Sequence, residues 1–155
     1  MYLFDTNIFR SLSVFYPESF SAVWDKLNHL ASKGGLISVR EVYLELIRNC
    51  PEQHIEKWAT SHKKIFVVPN NTELEYVSRL LKTEENRNLL RHENIIKGLP
   101  VADPFIIAVA KNRGATVVTQ EIRRLGAKIP NVCTKEKISC CSLRDFFNAE
   151  KIKYK

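Results

Sequence analysis

Apolar residues fall along this chain in two patterns. Short unbroken runs bounded by polar or turn residues predict buried strands: Tyr2 to Phe4, which stops at Asp5; Leu36 to Ser38, after Gly34 and Gly35; "IFVV" from Ile65; and "ATVVT", after Gly114. Between them, apolar residues recur at i, i+3 and i+4, the repeat of a helix with one buried face. One such helix starts at Thr6 or Asn7. Another runs from about Glu18 to Lys33, with Phe20, Val23, Trp24, Leu27 and Leu30 on one side. "VREVYLELIRN" predicts a helix ending before Pro51, because the residue preceding a proline avoids the α region. Pro51 to Lys63 opens on that proline and groups Ile55, Trp58 and Ala59.

Thr72 to about His92 predicts a long polar helix or helix pair with Leu74, Val77, Leu80 and Leu81 as its apolar stripe. Its Arg79, Lys82, Arg87 and Arg91 make either a solvated face or a contact surface for a nucleic-acid backbone. Asp103 and Pro104 suit an N-cap and a first helical position, and the apolar run Phe105 to Ala110 makes the helix that follows a buried one. "KIPNVC" reads as an edge strand and "SLRDFFNAEK" as a closing helix. Strands alternating with helices predict an α/β three-layer sandwich, a central mostly parallel sheet flanked by helices, built as one domain from residues 1–155. No internal repeat, linker or low-complexity segment interrupts it.

Composition narrows the class. Hydrophobic residues at 45% and charged residues at 26% are ordinary for a soluble globular protein. No apolar run approaches the roughly 20 residues that span a bilayer, and no basic leader precedes the apolar start. The expected location is the cytoplasm, with no membrane partner. Lys and Arg number 24 against 17 Asp and Glu, a formal net charge of +7 that favours polyanionic partners. Cys50, Cys133, Cys140 and Cys141 form no C-x-x-C pair and have no His at finger-like spacing, so buried reduced thiols are expected rather than zinc.

The acids carry the candidate chemistry. Asp5 and Glu121 lie just beyond predicted strands, Glu45 on the helix after the second strand, and Asp103 on the helix entering "TVVT". In a parallel sheet, ligands gather at the carboxyl ends of the strands, so all four can converge there. Carboxylates at close range either share protons or are neutralised by a cation. Oxygen donors without His or Cys suit Mg²⁺ or Mn²⁺, and Mg²⁺ keeps waters that can serve hydrolysis. Together with the basic surplus, this pattern fits a metal-dependent phosphodiesterase acting on nucleic acid.

At these residues the chain resembles the PIN-domain family: apolar residues followed by "DTN" at the start, "SVREVYLEL" giving Glu45, "ADPFIIAVA" giving Asp103, and "VVTQE" giving Thr119 and Glu121. The resemblance covers most of the chain. It implies a compact α/β nuclease with a divalent-metal acidic pocket, most often cutting RNA. Many small bacterial members are VapC-type toxins held inactive by a partner antitoxin, and members often form homodimers; "KIPNVC" looks like a poorly characterised subgroup. By the same resemblance Asp5, Glu45 and Asp103 are the principal metal-site acids. Glu121 stands where the family usually has Asp, and its extra methylene makes ligation through water the expectation. Asn7 and Thr119 resemble residues that orient the first Asp, with Thr6 acting likewise.

Plainer roles compete with these. Asp5 and Asp103 each suit a helix cap, Glu121 suits an exposed loop, and Glu41 lies one turn before Glu45 on the same face and reaches the same edge. Arg10 is either a ligand for a substrate phosphate or a surface arginine. No Ser-His or Cys-His arrangement supports a covalent mechanism. An aspartyl-phosphate enzyme needs a second Asp where Asn7 stands. The alternative to an endoribonuclease, and to the toxin of a toxin–antitoxin pair, is a basic RNA- or protein-binding α/β module with a degenerate, inactive pocket.

Overall fold

The computed structural model describes residues 1–49, 52–90, 92–123, 126 and 128–153. Five strands form one sheet: β1 (Tyr2–Phe4), β2 (Leu36–Val39), β3 (Phe66–Val67), β4 (Thr116–Val118) and β5 (Cys140–Cys141), in the order β3-β2-β1-β4-β5. Every pairing is parallel. The helices are α1 (Thr6–Leu12), α2 (Ser21–Ser32), α3 (Arg40–Asn49), α4 (Gln53–Ser61), α5 (Asn71–Leu80), α6 (Glu84–Arg87), α7 (His92–Ile96), α8 (Asp103–Arg113), α9 (Ile129–Lys135) and α10 (Leu143–Ala149). The result is the expected α/β sandwich of a parallel sheet between helices.

A strand covered on both faces has no polar side to spare, which is why β2 is buried at every residue. Its one hydroxyl, Ser38 Oγ, donates to the Phe4 carbonyl at 2.7 Å. Tyr2 and Phe4 share a face of β1, and Phe146 of α10 meets both rings edge-on, with centroids 4.8 and 5.0 Å away. Phe9 of α1 reaches Phe4 and Phe66, each at 5.7 Å. Helix α8 packs against β2 and β4 and carries α5 on its outer side. It ends at Gly114, whose φ of 63° is the left-handed geometry that closes a helix cheaply only without a Cβ.

Several boundaries differ from the sequence expectation. "KIPNVC" is helix α9 rather than an edge strand: Ile129, Val132 and Cys133 are buried at helical spacing, with Pro130 in the first turn, and the edge strand is β5. Helix α2 begins at Ser21, later than Glu18. The stretch from Thr72 to His92 breaks into α5, α6 and a 3-10 turn at Asn88–Leu90, with α7 starting at His92. Leu74, expected in the apolar stripe, is exposed, while Glu73 beside it is buried. A capping box sets that register: Asn70 Oδ1 accepts from the Glu73 N–H, Glu73 returns a bond to the Asn70 N–H, and Arg113 holds Glu73 inward at 2.8 Å. Ala102, not Asp103, is the N-cap of α8, so Asp103 opens the helix itself.

The proline start assigned to Pro51, and Arg91 of the cationic face, lie outside the described residues, as does Cys50. Cys133, Cys140 and Cys141 are free thiols. Among the described residues no helix is long and apolar enough to cross a membrane.

Candidate active site

From β1 the chain steps outward to β2 and β3, then returns through α8 to β4 on the other side of β1. Connections leaving β1 and β4 therefore diverge, and a crevice opens beyond their carboxyl ends. Asp5 is the first residue after β1 and Thr119 the first after β4. The Asp5 N–H donates to the Val118 carbonyl at 3.1 Å, which ties the two ends together. The Asp5 carboxylate caps α1 by accepting from the Thr6 N–H at 2.6 Å. Its second oxygen accepts from Asn7 Nδ2 at 2.6 Å and Thr119 Oγ1 at 2.8 Å. Asn7 is itself held by the Gln120 N–H at 2.9 Å. Thr6 Oγ1 donates to Glu45 Oε2 at 2.5 Å, fixing the acid of α3 against the start of α1.

These contacts frame a cavity of about 220 Å³. Asp5, Glu45 and Asp103 reach it from three different elements, with Thr6, Asn7 and Arg10 alongside. Burial is the main force on Asp5, and the charges of Asp103 and then Glu121 add to it. Against hydrogen bonds from Thr119 and the Thr6 N–H, the carboxyl is pushed up from 3.8 to about 7. Such a group is ionised at a cost that a nearby proton or cation removes.

Glu121 and Glu41 do not line that cavity. Glu121 turns towards α9, where its Oε2 accepts from the Ile129 N–H at 3.0 Å, and its charge acts on Asp5. Glu41 is buried, with Oε1 held by Arg40 at 2.9 Å and Oε2 without a hydrogen-bond partner among the described residues. Of the two acids of α3, Glu45 is the one at the cavity. Among the described residues no three His, Cys, Asp or Glu side chains stand close enough to make a ready-made metal cage. A magnesium-like ion does not need one, because it keeps most of its waters and takes one or two carboxylates. The carboxylate and amide oxygens of the described lining, with no His or Cys beside them, and an Asp5 carboxyl raised by burial and then by the charge of Asp103, fit that demand.

Asn49, Asn94, Leu99 and Pro100 complete the lining and were not singled out by the sequence. Asn49 lies one turn after Glu45 on α3, a relation the helical repeat contains. The other three come from the segment leading into α8, whose path across the cavity no periodicity encodes.

In fold the chain is similar to the crystal structure of VapBC2 from Rickettsia felis bound to a DNA fragment from their promoter. The TM-score is 0.46 and the identity 16%, over 91% of this chain and 97% of that one. No curated protein matches the chain in sequence. The family model described as "Domain of unknown function (DUF4411)" matches residues 2–154, and the chain belongs to that family.

Proposed function

We propose that the chain is a metal-dependent endoribonuclease that hydrolyses RNA phosphodiester bonds at the cavity of Asp5, Glu45 and Asp103. The observation that carries this reading is that those three acids, brought by different parts of the chain, line one cavity at the crevice where the strand order reverses. Asp5, Glu45 and Asp103 would hold Mg²⁺ or Mn²⁺. Held there, such an ion would supply positive charge for the phosphodiester and a water of lowered pKa. Asn7 and Thr119 fix the Asp5 carboxylate, so it does not have to be ordered when the ion arrives. Thr6 does the same for Glu45. Arg10, at the rim of the cavity, is placed to receive a phosphate oxygen. Glu121 contributes negative potential rather than a direct bond.

Purified protein incubated with RNA and Mg²⁺ or Mn²⁺, with a calorimetric Mn²⁺ titration beside it, tests the reading. Cleavage and Mn²⁺ binding are both expected, and both are expected to disappear in Asp5→Asn and Asp103→Asn proteins whose circular dichroism is unchanged. Full cleavage by Asp5→Asn overturns the assignment. Absence of Mn²⁺ binding in the unaltered protein favours the inactive binding module instead. The resemblance to PIN domains extends the proposal to a toxin restrained by an antitoxin. A neighbouring reading frame whose product co-purifies with the chain and suppresses cleavage is the expected sign.

A further inference from the structure

A second, larger cavity of about 720 Å³ lies beside the acidic one, between the end of α1 and helix α10. Three connections join their walls. Ser11, on the groove, stands one helical turn beyond Asn7, on the acidic cavity. Gln120, at the near end of the groove, donates its N–H to Asn7, which in turn donates to Asp5. The Thr119 N–H donates to the Cys141 carbonyl at 3.0 Å, which keeps the end of β5, where α10 begins, level with the ends of β1 and β4.

The chemistry of the groove is the reverse of its neighbour's. Its described lining carries two cations, Arg144 and Lys153, and no carboxylate. The floor is apolar, built on Phe15, Leu143 and Phe147, with the two phenyl rings edge-on at 5.6 Å. Acids on the same helix are engaged elsewhere: Asp145 closes a capping box with Ser142, and Glu150 takes the Tyr2 hydroxyl and Lys26.

We infer that this groove holds the single-stranded RNA segment adjoining the bond that the acidic cavity cuts. Arg144 and Lys153 meet its phosphates, and a base lies on the apolar floor. Single strands are gripped by this pairing of cations for the backbone with an apolar surface for the bases. An acidic, apolar peptide satisfies the same cations, but walls shared through α1 and the Gln120–Asn7 hydrogen bond with the proposed phosphodiester-cutting cavity favour RNA. The inference rests on the ribonuclease reading for its substrate class.

Binding of a fluorescein-labelled, mixed-sequence single-stranded RNA in EDTA tests the groove without cleavage. The full chain is compared with the double variant Arg144→Ala/Lys153→Ala and with Lys57→Ala/Lys64→Ala, which removes two exposed cations elsewhere. The groove variant is expected to bind roughly tenfold more weakly and to lower the slope of log affinity against log salt by about 1.4, the value for two lost single-strand phosphate contacts. With metal present its KM rises while kcat holds, and the control pair changes little. No loss in the groove variant, or equal losses in both pairs, overturns the inference. Unchanged RNA affinity with lost binding of a labelled Glu-rich apolar peptide overturns it in favour of a protein ligand. Groove-dependent RNA binding by a protein that cuts nothing with Mg²⁺ or Mn²⁺ supports the groove and removes the ribonuclease reading.

Discussion

Asp5 and Glu73 are both enclosed by the fold, 4% and 0% exposed, yet their surroundings drive them in opposite directions. Burial alone would raise the Glu73 carboxyl, but hydrogen bonds from Arg113, the Asn70 N–H and Asn112 overcome it and hold the group below its ordinary value. Asp5 also accepts hydrogen bonds, but burial, with the charges of Asp103 and Glu121 added to it, outweighs them, and it moves up. A carboxylate met by a guanidinium is finished as a structural element. One met by another carboxylate is left with a demand that only a proton or an added cation satisfies, and the fold has placed that demand where strand order reverses.

The contrast can be broken most sharply by neutralising each acid. Asp5→Asn is expected to lower metal-dependent RNA cleavage by about a thousandfold, on the order of 4 kcal/mol of barrier. The same substitution leaves the metal-free fold intact, as a melting curve in EDTA checks. Arg113→Met reverses both outcomes: it strands Glu73 and destabilises the protein by about 2–3 kcal/mol in urea unfolding, while cleavage per folded molecule is unchanged. The double variant Glu73→Met/Arg113→Met is expected to regain most of that loss.

The pH dependence of stability without metal separates the two groups by sign. Because Asp5 titrates near 7 when folded against 3.8 otherwise, its contribution is complete below about pH 4 and is lost as pH rises towards 7. Glu73, lowered from 4.5, contributes above that value and loses its contribution as pH falls through its folded value. Urea midpoints measured across this range are expected to lose the upper slope in Asp5→Asn and the lower one in Glu73→Gln. Smallest is Glu121→Gln. Its amide oxygen still accepts from the Ile129 N–H, so stability changes by less than about 0.5 kcal/mol. Removing its charge lowers the Asp5 carboxyl slightly but takes more from the attraction for a dication than from that for a proton, so Mn²⁺ affinity near neutral pH, read by calorimetry, falls a few-fold at most.

Of the four acids that sequence reasoning sent to the cavity, the three that line it have positions that each follow from one local rule. Asp5 ends an apolar run too short to be a helix, Glu45 sits at a fixed helical offset, and Asp103 opens an apolar helix that has to be buried. Glu121 obeys no such rule, because the loop after β4 decides where its side chain goes, and it goes to the start of α9. "KIPNVC" is short enough that its apolar residues fit either period, and only packing selected the helix. Glu73 is the inverse case. Its charge argues for solvent, and nothing nearby in sequence announces Arg113, 40 residues later.

The order of the strands also sets when the cavity can exist. Of the five described strands β1 precedes the others in the chain and lies in the middle of the sheet, and Thr119, which closes the hydrogen bonds on Asp5, follows that aspartate by 114 residues. A nascent chain still short of that threonine has its foremost acid but lacks the wall that orients it. If the chain cuts RNA as proposed, that activity waits for β4 to pair with β1, and a nascent chain short of Thr119 does not carry it.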